Sequence, residues 1–261
     1  MSGRDENNKS IVLKKPKYQA IRNFKVIKSN SLIQKSKFEL SAQEQKIMQY
    51  LISKIKPEDD AFITADFDIT EFCDVCGIDS DNGQNYKNIQ DTIGKLADKK
   101  IWIQINNEEI TILRWIDKPT INIKTGKMSV KLDDLLKPFL LHLKNNFTQF
   151  ELINTLAMKS KYSIRLYEIL RSYEYKKSVR FSIDKLKEIL DAVHYERYIH
   201  FRANVVDIAV NEINDLSDLS ISYEPIKEGR KFTDIEFSIR LKIDLDERFA
   251  AWKKIQDIIG N

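Results

Sequence analysis

The feature that most limits what this chain can fold into is an order of elements that occurs twice. In the first half, "SAQEQKIMQYLISKI" reads as a helix opened by Ser41, with Glu44 three residues on as a capping box. "AFITADFDI" reads as a strand, and "TEFCDVCGI" as a short helix ended by Gly77. After a polar loop, "YKNIQDTIGKLADKK" is a helix with Ile89, Ile93, Leu96 and Ala97 on one side. "IWIQIN" and "EITILRWI" form a hairpin around a tight "NE" connection, and "INIKTGKMSVKL" forms a second, turning at Thr125–Gly126. The second half repeats the order. "SKYSIRLYEILRSYEYKK" is a helix, "VRFSI" a strand, and "DKLKEILDA" a short helix capped by Ser182 or Asp184. A helix from Phe201 follows, then "LSISYEPI" and "TDIEFSIRLKI", strands joined around Gly229. The join between halves falls in "DDLLKPFLLHLKNNFTQF", where Pro138 breaks the helix that begins at Asp133.

Each half is therefore helix, strand, helix, helix, strand, strand. This is the order of a winged helix, a helix-turn-helix with a β-hairpin appended. Two copies in one chain make the signal specific. The expected fold is α+β: tandem winged-helix domains, each a helix-turn-helix with a β-hairpin wing. Residues 1–25 are expected to form a basic arm, 26–140 the first domain, 141–245 the second, and 246–261 a C-terminal tail. At 261 residues and 42% hydrophobic content, the chain can supply two cores. No run approaches the roughly 18 apolar residues of a membrane span, and "MSGRDENNKS" lacks a signal-peptide core. A cytoplasmic protein without membrane contact is expected. Cys73 and Cys76 are too few for a disulfide framework or a four-cysteine zinc site, and read as core residues beside Phe72 and Val75.

The net charge of +4 decides little, but its distribution says more. Asn7 to Phe38 holds nine Lys/Arg and no Asp/Glu; Lys159 to Lys187 holds nine basic and three acidic residues. Such clusters attract a phosphate backbone, although a solvated tail and a solvated helix face have the same composition. Lys14, Lys15, Lys17, Arg22 and Lys25 make either an arm that tracks DNA or a solubilising tail.

In "FRANVVDIAVNEIND", Phe201, Val205, Ile208, Ala209 and Ile213, followed by Leu216, make an apolar stripe at helical spacing. The opposite side carries Arg202, Asn204, Asp207 and Asn211. In a helix-turn-helix the start of this second helix enters the major groove. Arg202 can donate twice to guanine O6 and N7, Asn204 can pair with adenine N7 and N6, and Ala203 can meet a thymine methyl. Asp207 either accepts from cytosine N4 or orients Arg202 or Arg197. A surface Arg and Asn with no partner is the plain alternative. Phosphate contacts fix register rather than sequence. The candidates are Lys159, Lys161, Tyr162, Ser163 and Arg165 around a helix start, a natural anion site. Arg165 has burial against Glu168 or Glu151 as its alternative. The wing tip adds Lys227, Arg230 and Lys231, whose alternative is solubility. In the first domain, Lys87 and Asn88 are placed for base readout and Tyr86 for phosphate.

"FTQFELINTLAMKSKYSIRLYEILRSY" (147–173) resembles the opening segment of the second domain in plasmid replication initiators, the Rep proteins that bind iterons at origins of theta-replicating plasmids. "SNSLIQKSKFELSAQEQKIMQYLISKI" resembles their first-domain start. "FRANVVDIAVNEINDLSDLSISYEPIKEGRKFTDIEFSI" resembles their recognition helix and wing. The resemblance implies two winged-helix domains on one double-stranded DNA repeat, in adjacent major grooves. It implies monomers that bind direct repeats at an origin and open it with host replication factors. It also implies dimers that bind an inverted repeat at an operator and repress the protein's own gene. Within that family, base readout by Arg202 and Asn204 is favoured over plain surface. For the dimer, "EITILRWI" and "INIKTGKMSV" are the expected surface.

Two other functions compete. One is a transcriptional regulator built from the same modules. The other is a DNA-nicking enzyme with a Tyr nucleophile and a His-bound metal. Against the nickase stand three His in all, no His-hydrophobe-His pair, and a spacing of six in "HYERYIH". With no G-x-x-x-x-G-K-[ST] loop, ATP hydrolysis is not expected either. No catalysis, cofactor or metal is expected.

Overall fold

The computed structural model describes residues 20–260, apart from Ile63 and Ile123. Lys14, Lys15 and Lys17 of the expected basic arm lie outside the described residues. In chain order the elements are β1 (Lys25–Ser29), α1 (Asn30–Gln34), β2 (Ser36–Phe38), α2 (Ala42–Ser53), β3 (Ala65–Asp68), α3 (Ile69–Cys76) and α4 (Gly83–Asp98). There follow β4 (Lys100–Gln104), β5 (Ile110–Arg114), β6 (Ile116–Ile121), β7 (Lys127–Leu132), α5 (Lys137–Leu140), β8 (Phe147–Glu151) and α6 (Ile153–Leu156). The second module comprises α7 (Lys161–Ser172), β9 (Ser178–Ser182) and α8 (Ile183–Ile189). Tyr198–Phe201, Arg202–Val206 and Asp207–Leu216 then run on as one helix, α9, followed by β10 (Leu219–Glu228), β11 (Lys231–Leu241) and α10 (Leu245–Ile259).

The repeated order is present: α2, β3, α3, α4, β4, β5 in one half and α7, β9, α8, α9, β10, β11 in the other. The capping box is also present, with Ser41 Oγ accepting from the Glu44 N–H and Glu44 Oε2 accepting from the Ser41 N–H. Of the two candidate caps for α8, Ser182 takes the role, its hydroxyl accepting from the Lys185 N–H. Three local readings need correction. The first wing's loop spans Ile105–Glu109 rather than two residues, because the Asn106 side chain accepts the Glu108 and Glu109 N–H groups and widens the turn. "EITILRWI" divides at Trp115, whose ring is buried edge-on to Phe38. Pro138 opens α5 rather than ending a helix, since the first turn needs no proline N–H.

The two modules assemble their sheets differently. In the second, β9 joins the wing in the order β10-β11-β9. In the first, β3 leaves the wing and pairs with β7 in the sheet β3-β7-β6, while β2 supports the wing as β2-β4-β5. β1 and β8, at the start of the first module and the lead-in to the second, pair antiparallel from Lys25↔Glu151 to Ser29↔Phe147.

The modules share a buried polar seam. Glu168 on α7 is ion-paired with Lys28 on β1 and accepts from Gln49 Nε2 on α2 at 3.1 Å. Arg165 stands over the Phe38 ring and donates to the carbonyls of Ile33 (2.8 Å) and Ser36 (3.0 Å). Burial pulls the Lys28 ammonium below the usual lysine range, and Glu168 opposes that shift.

Residues expected as a C-terminal tail form α10, capped by Asp244 and seated through Ala251, Ile255 and Ile259. Burying each isoleucine contributes about 1.5–3 kcal/mol. Gly77 ends α3 at φ 68°, and a Cβ there would meet the Ile259 carbonyl oxygen at 2.2 Å, so only glycine lets α3 and α10 touch. Arg22 is not part of a DNA-tracking arm. It is buried between these two helix ends, donating to the carbonyls of Asp74, Val75, Ile259 and Gly260, where unpaired helix carbonyls favour a cation. Lys25 pairs with Glu151 at 2.7 Å. Cys73 and Cys76 are buried free thiols, pushed up to about 11 and about 12 chiefly by burial. Among the described residues no helix is long and apolar enough to cross a membrane.

Candidate nucleic-acid interface

The candidate interface is built on α9. Phe201, Val205, Ala209, Ile213 and Leu216 face the core as expected, but Ile208 is exposed and Val206 is fully buried in its place. The cause is a π-wound turn over Arg202–Val206, in which the Asp207 N–H donates to the Arg202 carbonyl. Its extra residue advances the stripe, a displacement that 3.6-residue periodicity does not anticipate.

Arg202, Ala203 and Asn204 are all exposed, on the turn expected to meet a groove. Arg202 Nε donates to Asp207 Oδ2 at 3.3 Å, and Asn204 Nδ2 donates to the His200 carbonyl at 2.9 Å. Asp207 is thus paired with Arg202. Its other oxygen accepts from Tyr223 Oη on β10 at 2.5 Å. Tyr198 stacks on Phe232 of β11, ring centroids 4.3 Å apart, and Lys227 Nζ lies 4.4 Å from the Phe232 centroid on the other side of the sequence turn. Lys227, Arg230 and Lys231 are exposed around Gly229. The sequence reading did not single out Tyr198, Tyr223 or Phe232. The spacing that puts Tyr223 on the same face of β10 as buried Leu219 and Ile221 was an available signal.

The expected phosphate site at the start of α7 is largely closed. The Glu212 carboxylate from α9 accepts the Lys159 and Ser160 N–H groups at 3.0 and 3.1 Å, so the protein's own anion occupies the helix start. Ser163 and Arg165 are buried and cannot reach a phosphate; Arg165 is committed to Glu168, Ile33 and Ser36. Lys161 pairs with Asp191 at 2.7 Å, and Tyr162 lies half-buried, edge-on to Tyr195. Lys159 keeps an exposed side chain.

In the first module Asn82 caps α4 by accepting from the Gln84 N–H. Lys87 and Asn88 are exposed, with Asn88 Oδ1 accepting from Gln84 Nε2 at 2.8 Å. Tyr86 is half-buried. Its hydroxyl fills the space where a Cβ on Gly126 would stand, 1.7 Å from that position, and so seats α4 on the tip of the β6–β7 hairpin.

Residues 25–171 match the family described as Initiator Replication protein, WH1, and residues 182–239 match Initiator Rep protein, WH2. The chain belongs to this initiator replication protein family. The PI protein of Escherichia coli is 28% identical over 158 residues, covering 53% of this chain and 50% of that protein. The match therefore spans half the length of that relative. The fold is similar to the crystal structure of the Pi initiator protein in complex with iteron DNA, with a TM-score of 0.69 at 20% identity over 85% of this chain and 99% of the other. Both winged-helix domains of the initiator fold are thus accounted for, with α9 and β10–β11 as the helix and wing of the second.

Proposed function

We propose that this protein is a plasmid replication initiator that binds repeated origin sequences as a monomer and represses its own promoter as a dimer. The observation that carries the reading is the exposed row Arg202, Ala203 and Asn204 beside a wing tip holding Lys227, Arg230 and Lys231. Family membership supports it, as does the likeness in fold to a Pi initiator crystallised with iteron DNA. Arg202 keeps Nε on Asp207 and offers its two Nη groups to guanine O6 and N7. Asn204 exchanges the His200 carbonyl for adenine. Lys87 and Asn88, at the start of α4, read the neighbouring groove. Lys159, the wing lysines and Arg230 take phosphates.

In this reading, the first module (26–140) serves dimerisation and DNA binding, and the second (141–245) is the main reader. β5 is an edge strand carrying exposed Ile110 and Ile112, with Trp102 beside it on β4, which suits pairing with a second copy. The protein works in the cytoplasm with host replication factors and without catalysis of its own.

Footprinting on candidate direct repeats tests the DNA role. Arg202→Ala is expected to weaken specific binding by roughly 1–3 kcal/mol and relax one base position. Unchanged affinity and unchanged preference would remove Arg202 from the interface. A plasmid carrying the repeats separates initiator from regulator: repression without replication in a host supplying this gene would favour the regulator. Ile112→Lys is expected to lower the dimer fraction in sedimentation while leaving monomer binding to one repeat intact.

A further inference from the structure

In an α-helix, a residue five positions on stands about 140° around the axis, out of reach. The π-wound turn of α9 removes that offset and brings Asp207 beneath Arg202. Asp207 is held in turn from the wing: its Oδ1 accepts from Tyr223 Oη, while its Oδ2 accepts from Arg202 Nε. Tyr223 is half-buried on β10, opposite Phe237 of β11, so its ring is fixed by the wing sheet. Burial and the neighbouring Asp207 carboxylate raise the Tyr223 hydroxyl well above its ordinary range, which keeps it a donor. A second strut, Tyr198 stacked on Phe232, joins the beginning of the helix to the same sheet. The guanidinium of Arg202 is therefore clamped at one edge although half its side chain is exposed. An untethered arginine samples many rotamers and must order them on binding, whereas a clamped one presents a fixed fork.

We infer that Tyr223 is a positioning residue for base selection, acting through Asp207 to fix the Arg202 guanidinium and so coupling the seat of the wing to the base that Arg202 accepts. This inference rests on the reading of Arg202 as a base reader.

The test uses the full-length chain and a pool of random-sequence duplexes, with bound sequences read out position by position. Wild type, Arg202→Ala, Tyr223→Phe, Asp207→Asn and the Arg202→Ala/Tyr223→Phe double variant are compared. Affinity for a fixed unrelated duplex and the thermal midpoint are measured in parallel. Tyr223→Phe is expected to reduce preference roughly three- to tenfold, the worth of one hydrogen bond, at the base position that Arg202→Ala flattens. Unrelated-duplex affinity stays as in wild type, and the midpoint falls by no more than one lost hydrogen bond is worth. The double variant is no flatter than Arg202→Ala alone, and Asp207→Asn, which alters the same link at its helix end, flattens the same position. If Arg202→Ala flattens one position while Tyr223→Phe leaves the profile intact or weakens all sequences equally, the positioning role fails and the base reader stands. If Arg202→Ala flattens no position, the base reader fails and the positioning role falls with it.

Discussion

The wing of the second module ends in Lys227, Arg230 and Lys231, whereas the wing of the first ends in Asn106, Asn107, Glu108 and Glu109. The strands behind those tips differ in the same sense. β10–β11 turns Tyr223 and Phe232 onto α9, while β4–β5 leaves Trp102, Ile110 and Ile112 exposed. One order of elements thus carries two surface chemistries. A basic tip attracts phosphates and an acidic one repels them; exposed apolar side chains on an edge strand invite a protein partner instead. The scaffold is shared, and the side chains at the tips and along the strands behind them set the two modules apart.

The largest way to disturb this comparison is at the seam that both modules share. Glu168→Ala leaves Lys28 and Arg165 buried without their carboxylate and is expected to cost roughly 3–5 kcal/mol. Denaturant unfolding should stay a single transition; two separated transitions would show that the modules are energetically independent.

Gly126→Ala attacks the first module alone, since the new Cβ collides with Tyr86 Oη and φ is 68°. A loss of about 1–3 kcal/mol is expected. Binding to a duplex carrying one repeat should lose only the contribution of α4, and a loss as large as that of Arg202→Ala would mean the first module reads as much sequence as the second.

Exchanging wing-tip charges is a smaller perturbation, and it tests the contrast directly. Arg230→Glu is expected to weaken binding evenly across sequences and to reduce the salt slope by about one. Glu108→Lys should change neither. An equal response at both tips would erase the distinction drawn here.

The smallest expected effect lies in the ion pair between Lys37 of β2 and Glu188 of α8. Lys185 and Lys37 hold the Glu188 carboxyl below its usual range. A lowered carboxylate value means the stabilisation is present above the unfolded carboxyl range and lost as pH falls through the lowered value. Lys37→Ala should therefore cost well under about 1 kcal/mol at neutral pH, with the difference from wild type closing in acid. Thermal midpoints across an acid series would show it.

The exposure of the candidate reading residues was legible in the sequence, and the candidates that prove buried have physical causes. Arg202, Ala203 and Asn204 follow from a helix start in a repeated module, and they stand exposed. Ser163, Arg165, Tyr86 and Arg22 are polar or aromatic residues near helix ends or in a basic run, which in sequence looks like surface. What encloses three of them comes from distant segments: the carbonyls of Ile33 and Ser36 for Arg165, the bare Cα of Gly126 for Tyr86, and the carbonyls at the ends of α3 and α10 for Arg22. Glu212 capping the start of α7 is likewise a contact across 53 positions.

By itself the sequence determined the element order, the cap at Ser41 and the apolar face of α4. These follow from local hydrogen bonding and from spacing along one segment. Only the tertiary structure decided that β3 abandons its wing for β7, that α9 winds through a π turn, and that Asp207 stands between Arg202 and Tyr223. Those outcomes compare pairings between segments far apart in the chain, and no local pattern carries the energies of the alternatives.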